Sequence, residues 1–399
     1  MRNRPAAPTD SRAGDPVGAA HGTFRRASLG VAAILGSTVL ALSGCVSFND
    51  QDQTREAGGF SNNPVPDIIA PTTPDSPADP SEGQQGPPPT GPCVDPDNAV
   101  IATCLTSTGG VHPADAEGRT TYVAERTTGN IIVSKRYGPQ RVLATIPVDA
   151  SGDGGLIDFA FSPTYDQDGL IFALITTGSD NRIVRVAAGD VPKPILTGIP
   201  KGATGNMGSM YFQSAGELIV ATGNAGSTAA ADNPSSLAGK VLKVSPFRDA
   251  GRPQVVAGGF GGNVALCPDS DTKTLYVADH GEAGDRLFSV DKNGPKKLWQ
   301  WNDNPQIGGC AASGGVIYVA MTRAKRIDSI AAPTAQKPTI TDPAPADVAK
   351  RFGHVARLAP IPGGVQLATV NKSVPGAEVK TYDDRVAIFN PPQPTEDRM

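Results

Sequence analysis

The 399-residue sequence predicts an all-β fold, a six-bladed β-propeller preceded by a lipoprotein signal and a disordered proline-rich linker. Three observations carry that expectation. A unit built of a turn glycine, a run of β-branched and aromatic residues, a polar loop and a second apolar run recurs six times. Its interval is roughly fifty residues, the period of a four-stranded propeller blade. Long amphipathic helical periodicity is nearly absent, which removes helical and α/β folds, and a pair of β-sandwiches would space its strands more evenly. The 46 glycines and 37 prolines exceed ordinary usage and fall in different places: prolines crowd between Pro64 and Pro92, whereas glycines mark turns after Gly109.

Residues 1–44 read as an export signal. Arg25 and Arg26 precede an uncharged run, Leu29 to Ser43, that is too short to span a bilayer comfortably. The run ends in Leu42, Ser43, Gly44 and Cys45, small residues before a cysteine that resemble the lipobox of bacterial lipoproteins. That resemblance implies a Cys45 thiol carrying lipid at a new N-terminus, with the chain held at the outer face of the cytoplasmic membrane. The arginine pair also resembles a twin-arginine signal, but Ser28 stands where that motif prefers an apolar residue, so both export routes stay open.

Residues 45–92 hold ten prolines among Ser, Thr, Gly, Gln and seven acids, with Arg55 as the lone cation. Such a segment buries too little apolar surface to offset its ordering entropy and reads as an extended spacer. Fully extended, it reaches about 145 Å. Residues 93–391 are the expected propeller and residues 392–399 a disordered tail.

The six units follow in order. They are 118–124 with 129–133, 169–175 with 181–186, 216–221 with 239–244, 274–279 with 285–290, 315–320 with 325–327, and 363–369 with 385–389. Each pairs two strands across a polar loop.

The formal net charge of −4 resolves into a cationic signal, an acidic spacer and a nearly neutral body. No clustered basic face is present, so nucleic acid is excluded as a partner. Nothing in the body demands a second copy, and a monomer is expected. Of five cysteines, Cys45 is assigned to lipid and four remain for two disulfides in an oxidising compartment. Cys93 and Cys104 are the nearer pair, leaving Cys267 with Cys310. There is no CxxC and no cysteine–histidine cluster of zinc spacing, which disfavours thiol redox and zinc roles.

The stretch from Gly152 to Tyr165 (GDGGLIDFAFSPTY), with Asp168 and Gly169, resembles the glycine-rich loop and strand of soluble glucose/sorbosone dehydrogenases. Residues 236–244 (SLAGKVLKV) and 276–287 (YVADHGEAGDRL) resemble two further motifs of that family. Over nearly the whole length from Cys45, including residues 146–165 and 196–206, the chain also resembles a family of mycobacterial lipoproteins.

The dehydrogenase resemblance implies a six-bladed propeller that binds pyrroloquinoline quinone (PQQ) and calcium and oxidises aldoses. Hydride loss from a sugar needs a base for the hydroxyl proton. The resemblance places that base, a histidine, at the position of Gly205, and the quinone-binding arginine in the stretch Phe260, Gly261, Gly262, Asn263; both side chains are missing. His112, His280 and His354 are the body's histidines, and His280, beside Asp279 at a strand end, is the candidate substitute base. Oxygen ligands for calcium or another ligand come from Asn206, Asn224, Asp232, Asp279, Glu282 and Asp285, without the dense alternation of an EF-hand.

Three readings follow. The first is a tethered propeller that binds an envelope glycan or protein, with the dehydrogenase site degenerate. The second is a PQQ-dependent sugar dehydrogenase using His280, and the third a scaffold of an envelope complex.

Overall fold

The computed structural model describes residues 90–247 and 252–394. Cys45, the export signal and nearly all of the spacer lie outside the described residues.

Six four-stranded antiparallel sheets are arranged as the blades of a propeller. Their inner strands are Thr108–Pro113, Leu156–Phe161, Ser209–Ser214, Asn263–Pro268, Ile307–Ser313 and Val355–Ile361, taken as blades 1 to 6. Every unit seen in the sequence is the second and third strand of a blade. In blade 1, for example, they are Thr120–Glu125 and Asn130–Lys135, paired with Val123 opposite Ile132. These strands alternate β-branched residues with small or polar ones because they pack between neighbouring blades. Ile131, Phe159 and Ile171 bury one such seam completely, and Phe172, Ile183 and Leu218 the next.

Blade 6 takes its outer strand from the start of the body. Val100–Ala102 pairs with Val386–Phe389, Val100 opposite Ala387, so the first strand closes the ring on the last blade and leaves no open edge between them. Disulfide Cys93–Cys104 brackets that strand. Beside it the buried Arg385 guanidinium bonds Asp95 at 2.7 Å and Asp383 at 2.8 Å. Disulfide Cys267–Cys310 joins the inner strands of blades 4 and 5, with Cα atoms 5.6 Å apart. Both expected pairings are present.

Because strands alternate in direction, the links between blades and the loops joining second to third strands share one face. Two of those loops are long. In blade 3 residues 222–239 carry the short helix Thr228–Asp232, capped by Ser227, whose Oγ accepts from the Ala230 amide at 3.2 Å. In blade 6, residues 370–385 carry the turn Asn371–Ser373. The inner strands enclose a channel cavity of about 170 Å³.

Candidate functional site

On the loop-bearing face the link into blade 3, residues 200–208, meets the loops of blades 2, 3 and 4. Gly205 is at its centre with φ +79°, a conformation that glycine adopts freely. A Cβ there would lie 2.4 Å from the Gly226 nitrogen and 2.6 Å from Asn224 Oδ1. Asp153 fastens the link from below, accepting from the Gly205 amide at 2.7 Å and from Asn206 Nδ2 at 2.5 Å. Asn206 is buried and spends its remaining capacity on Gly202 and Asn181. Asn224 Oδ1 accepts from the Gly226 amide at 2.9 Å. The two asparagines therefore knit backbone together at Gly205.

Gly261 is packed as tightly. A Cβ at that position would sit 2.3 Å from the His280 carbonyl oxygen and 2.4 Å from the Gly281 Cα. Its amide donates to Asp279 at 2.6 Å, and Asp279 also receives Arg286. Burial, the largest influence, pushes the Asp279 carboxyl above its ordinary range although Arg286 and the amide pull it down.

The next residue points the other way. His280 Nδ1 lies 2.8 Å from Asp285 Oδ1, and Asp285, fully buried, also accepts from the amides of Gln306 at 2.8 Å and Ile307 at 2.9 Å. Burial opposes ionisation of Asp285, but the bonds from His280, Ile307 and Gln306 outweigh it and hold the carboxyl below its ordinary range. An ionised Asp285 only accepts, so Nδ1 carries a proton, and in the neutral ring the lone pair is on Nε2. No protein group bonds Nε2 among the described residues, and the His280 side chain is about a quarter exposed (26%).

The structure thus brings His280 together with Asp285, and Asn206 and Asn224 together at Gly205. Asp279 turns away into its pair with Arg286, while Asp232 and Glu282 stand exposed on separate loops. Among the described residues no three His, Cys, Asp or Glu side chains gather as a metal would require. Asp153, which organises the link, is not among the site residues that the sequence points to; its signal is only a carboxylate flanked by glycines, a pattern shared with ordinary turns.

Residues 113–295 match the family model for glucose/sorbosone dehydrogenases. The span runs from the end of the first inner strand into the outer strand of blade 4, and so takes in both crowded glycines. Among solved structures, the PQQ-bound aldose sugar dehydrogenase of Streptomyces coelicolor is 26% identical, with a TM-score of 0.63 over 72% of this chain and 95% of that one. A putative glucose dehydrogenase of Thermus thermophilus shares 23% identity and a TM-score of 0.62, over 72% of this chain and 97% of its own. The apo-form of the Escherichia coli soluble aldose sugar dehydrogenase shares 14% and a TM-score of 0.57, over 73% of this chain and 98% of its own. The last two likenesses speak to the fold alone. A search of curated proteins found no match.

The fit of PQQ can then be judged on the residues. The two side chains that the resemblance assigns to base and quinone contact are glycines, and the backbone around each leaves no space for any Cβ. Four cations of this face are already engaged: Arg126 by Gly154 and Ser107, Arg286 by Asp279, Arg385 by Asp95 and Asp383, Lys240 by Ala231 and Ala238. A quinone with several carboxylates needs more than one free guanidinium fork. Arg357 keeps its fork unpartnered among the described residues but lines the channel cavity of about 170 Å³, too small for the quinone, so this set does not fit it.

A larger concavity opens on the opposite face, across blades 3 and 4. It measures about 1310 Å³ and is lined in part by Tyr211, Val256, Lys243, Lys273 and Lys292.

Proposed function

We propose that this chain is a cell-envelope lipoprotein, anchored through Cys45 and its spacer, whose propeller binds an envelope glycan or protein on a scaffold from which dehydrogenase chemistry has been lost. The crowding at Gly205 carries this reading. A missing base could be a simple substitution, but here the surrounding backbone has closed over the position. The cleft of blades 3 and 4 offers the docking surface, since Tyr211 presents an aromatic ring and the lysines present donors, the combination suited to sugar hydroxyls or acidic groups.

A second reading has one observation in its favour. The His280–Asp285 pair has the arrangement of an oriented general base, with Nε2 free. It would make the chain an aldose dehydrogenase with a relocated base. Dye-linked oxidation of an aldose panel, with PQQ and calcium supplied to the purified chain, separates the two. The binding reading expects no turnover above the quinone alone. Turnover that His280→Ala abolishes would establish the enzyme.

A further inference from the structure

We propose that the central channel is a binding site for a small hydroxycarboxylate, its carboxylate held on the guanidinium of Arg357. Arg357 is the third residue of the inner strand of blade 6 and lines the channel cavity while only 5% exposed. Its Nε and Nη2 are buried without a hydrogen-bond partner, and among the described residues it forms no ion pair. Buried guanidinium groups are nearly always paired, because an unmet charge-bearing donor is among the most unfavourable groups to bury. Its planar fork matches the two oxygens of a carboxylate.

The opposing charge is nearby but out of reach. Asp158, on the inner strand of blade 2, lines the same cavity and accepts from the amides of Phe159 at 3.0 Å and Met210 at 2.8 Å. It attracts Arg357 electrostatically, yet no contact within 4.0 Å joins them, so the cavity has a cation and an anion with space between. His112 lies at Asp158 as well, its Nε2 2.7 Å from the Phe159 carbonyl oxygen and 3.8 Å from Asp158 Oδ1. A ligand carboxylate belongs on Arg357, and a hydroxyl on the ligand can donate to Asp158.

The space is set by small residues. Gly110 stands between blades 6 and 2 in the ring, and a Cβ on it would fall 1.8 Å from Asp158 Oδ1. Gly309 on the other side of Arg357 would place a Cβ 2.4 Å from the Ala356 carbonyl oxygen. The resulting cavity of about 170 Å³ is close to the size of engineered cavities that hold benzene, which limits the ligand to about six to eight non-hydrogen atoms. Tyr211, Pro268, Ala312 and Pro360 line both the channel and the cleft of blades 3 and 4, which gives the ligand its route in.

The test is thermal melting of the purified chain in increasing lactate, with propionate and 1,2-propanediol as probes lacking the hydroxyl and the carboxylate, all at constant ionic strength. Lactate is expected to raise the midpoint with concentration, propionate to raise it less and propanediol not at all. Arg357→Met should weaken the lactate response at least about tenfold, the effect of losing a charged hydrogen bond. If that variant fails to fold, Arg357→Lys keeps the cation but loses the fork, and should weaken the response as well. A flat lactate response in the native chain, or an unchanged one in the Arg357 variant, overturns the proposal and leaves water in the channel. Equal responses to lactate and propionate overturn the role given to Asp158. None of these readouts involves the quinone, so failure here and failure of the reading above are told apart.

Discussion

Asp285 holds His280 by a 2.8 Å bond to Nδ1, and the same carboxylate closes the link into blade 5 through the amides of Gln306 and Ile307. That double duty makes the pair structural as well as chemically suggestive. Asp285→Asn is expected to destabilise the propeller by about 2–4 kcal/mol at pH 7, since a buried acceptor of three bonds becomes partly a donor. His280→Ala, which removes one partner at the edge, should cost less than about 1.5 kcal/mol. Urea denaturation of both variants checks the order; a larger loss for His280→Ala would contradict it.

Gly205 is the second test of structure against chemistry. Gly205→Ala meets backbone and Asn224 at under 3 Å in a left-handed conformation, and should lose at least about 2 kcal/mol. Gly216→Ala, where a Cβ meets nothing within 4 Å, should change stability by less than about 0.5 kcal/mol. Restoring the family's histidine as Gly205→His should therefore yield a less stable protein and no aldose oxidation.

Asp384 gives a pH signature. Burial and the neighbouring Asp383 raise its carboxyl to about 6, against the pull of Lys372 and the Asn371 amide. Its folded affinity for protons exceeds the unfolded one, so its contribution to stability is full below about pH 4 and is lost as pH rises through 6. The loss amounts to about 3 kcal/mol. Asp384→Asn, which cannot ionise, should raise the melting midpoint at pH 7.5 and leave it nearly unchanged at pH 4. An equal shift at both values would show that ionisation is not the cause.

Disulfide Cys267–Cys310 closes a 43-residue separation across blades 4 and 5. Loop-closure entropy assigns it about 4 kcal/mol. The double variant Cys267→Ala with Cys310→Ala should lose that much in urea titration, whereas a loss under about 1 kcal/mol would mean that strand packing alone unites the blades.

Half of each blade was legible in the sequence. Second and third strands such as Leu170–Thr176 and Asn181–Ala187 pack on both neighbouring blades, and so spell out β-branched runs with a turn between them. Inner strands do not: Gly109 and Gly110, or Gly308 and Gly309, are small because the axis is crowded, which erases hydrophobic alternation. Outer strands such as Lys193–Ile199 and Gln254–Gly258 face solvent and read as loops. The closing strand Val100–Ala102 is only three residues long and pairs with a partner nearly three hundred residues away, a distance no local pattern can express. At the site, His280 and Asp285 lie five residues apart across one tight turn; the sequence singles out each, as candidate base and candidate ligand, but their pairing is a property of the folded turn. Arg357 and Asp158 come to line one cavity only when six blades close into a ring.

Isothermal titration calorimetry of the purified chain with PQQ in millimolar calcium tests the central claim most directly. Loss of the dehydrogenase site predicts no saturable heat, because backbone fills the positions of base and guanidinium at Gly205 and Gly261. One-site binding of the quinone, with aldose-dependent dye reduction that disappears in His280→Ala, would contradict it.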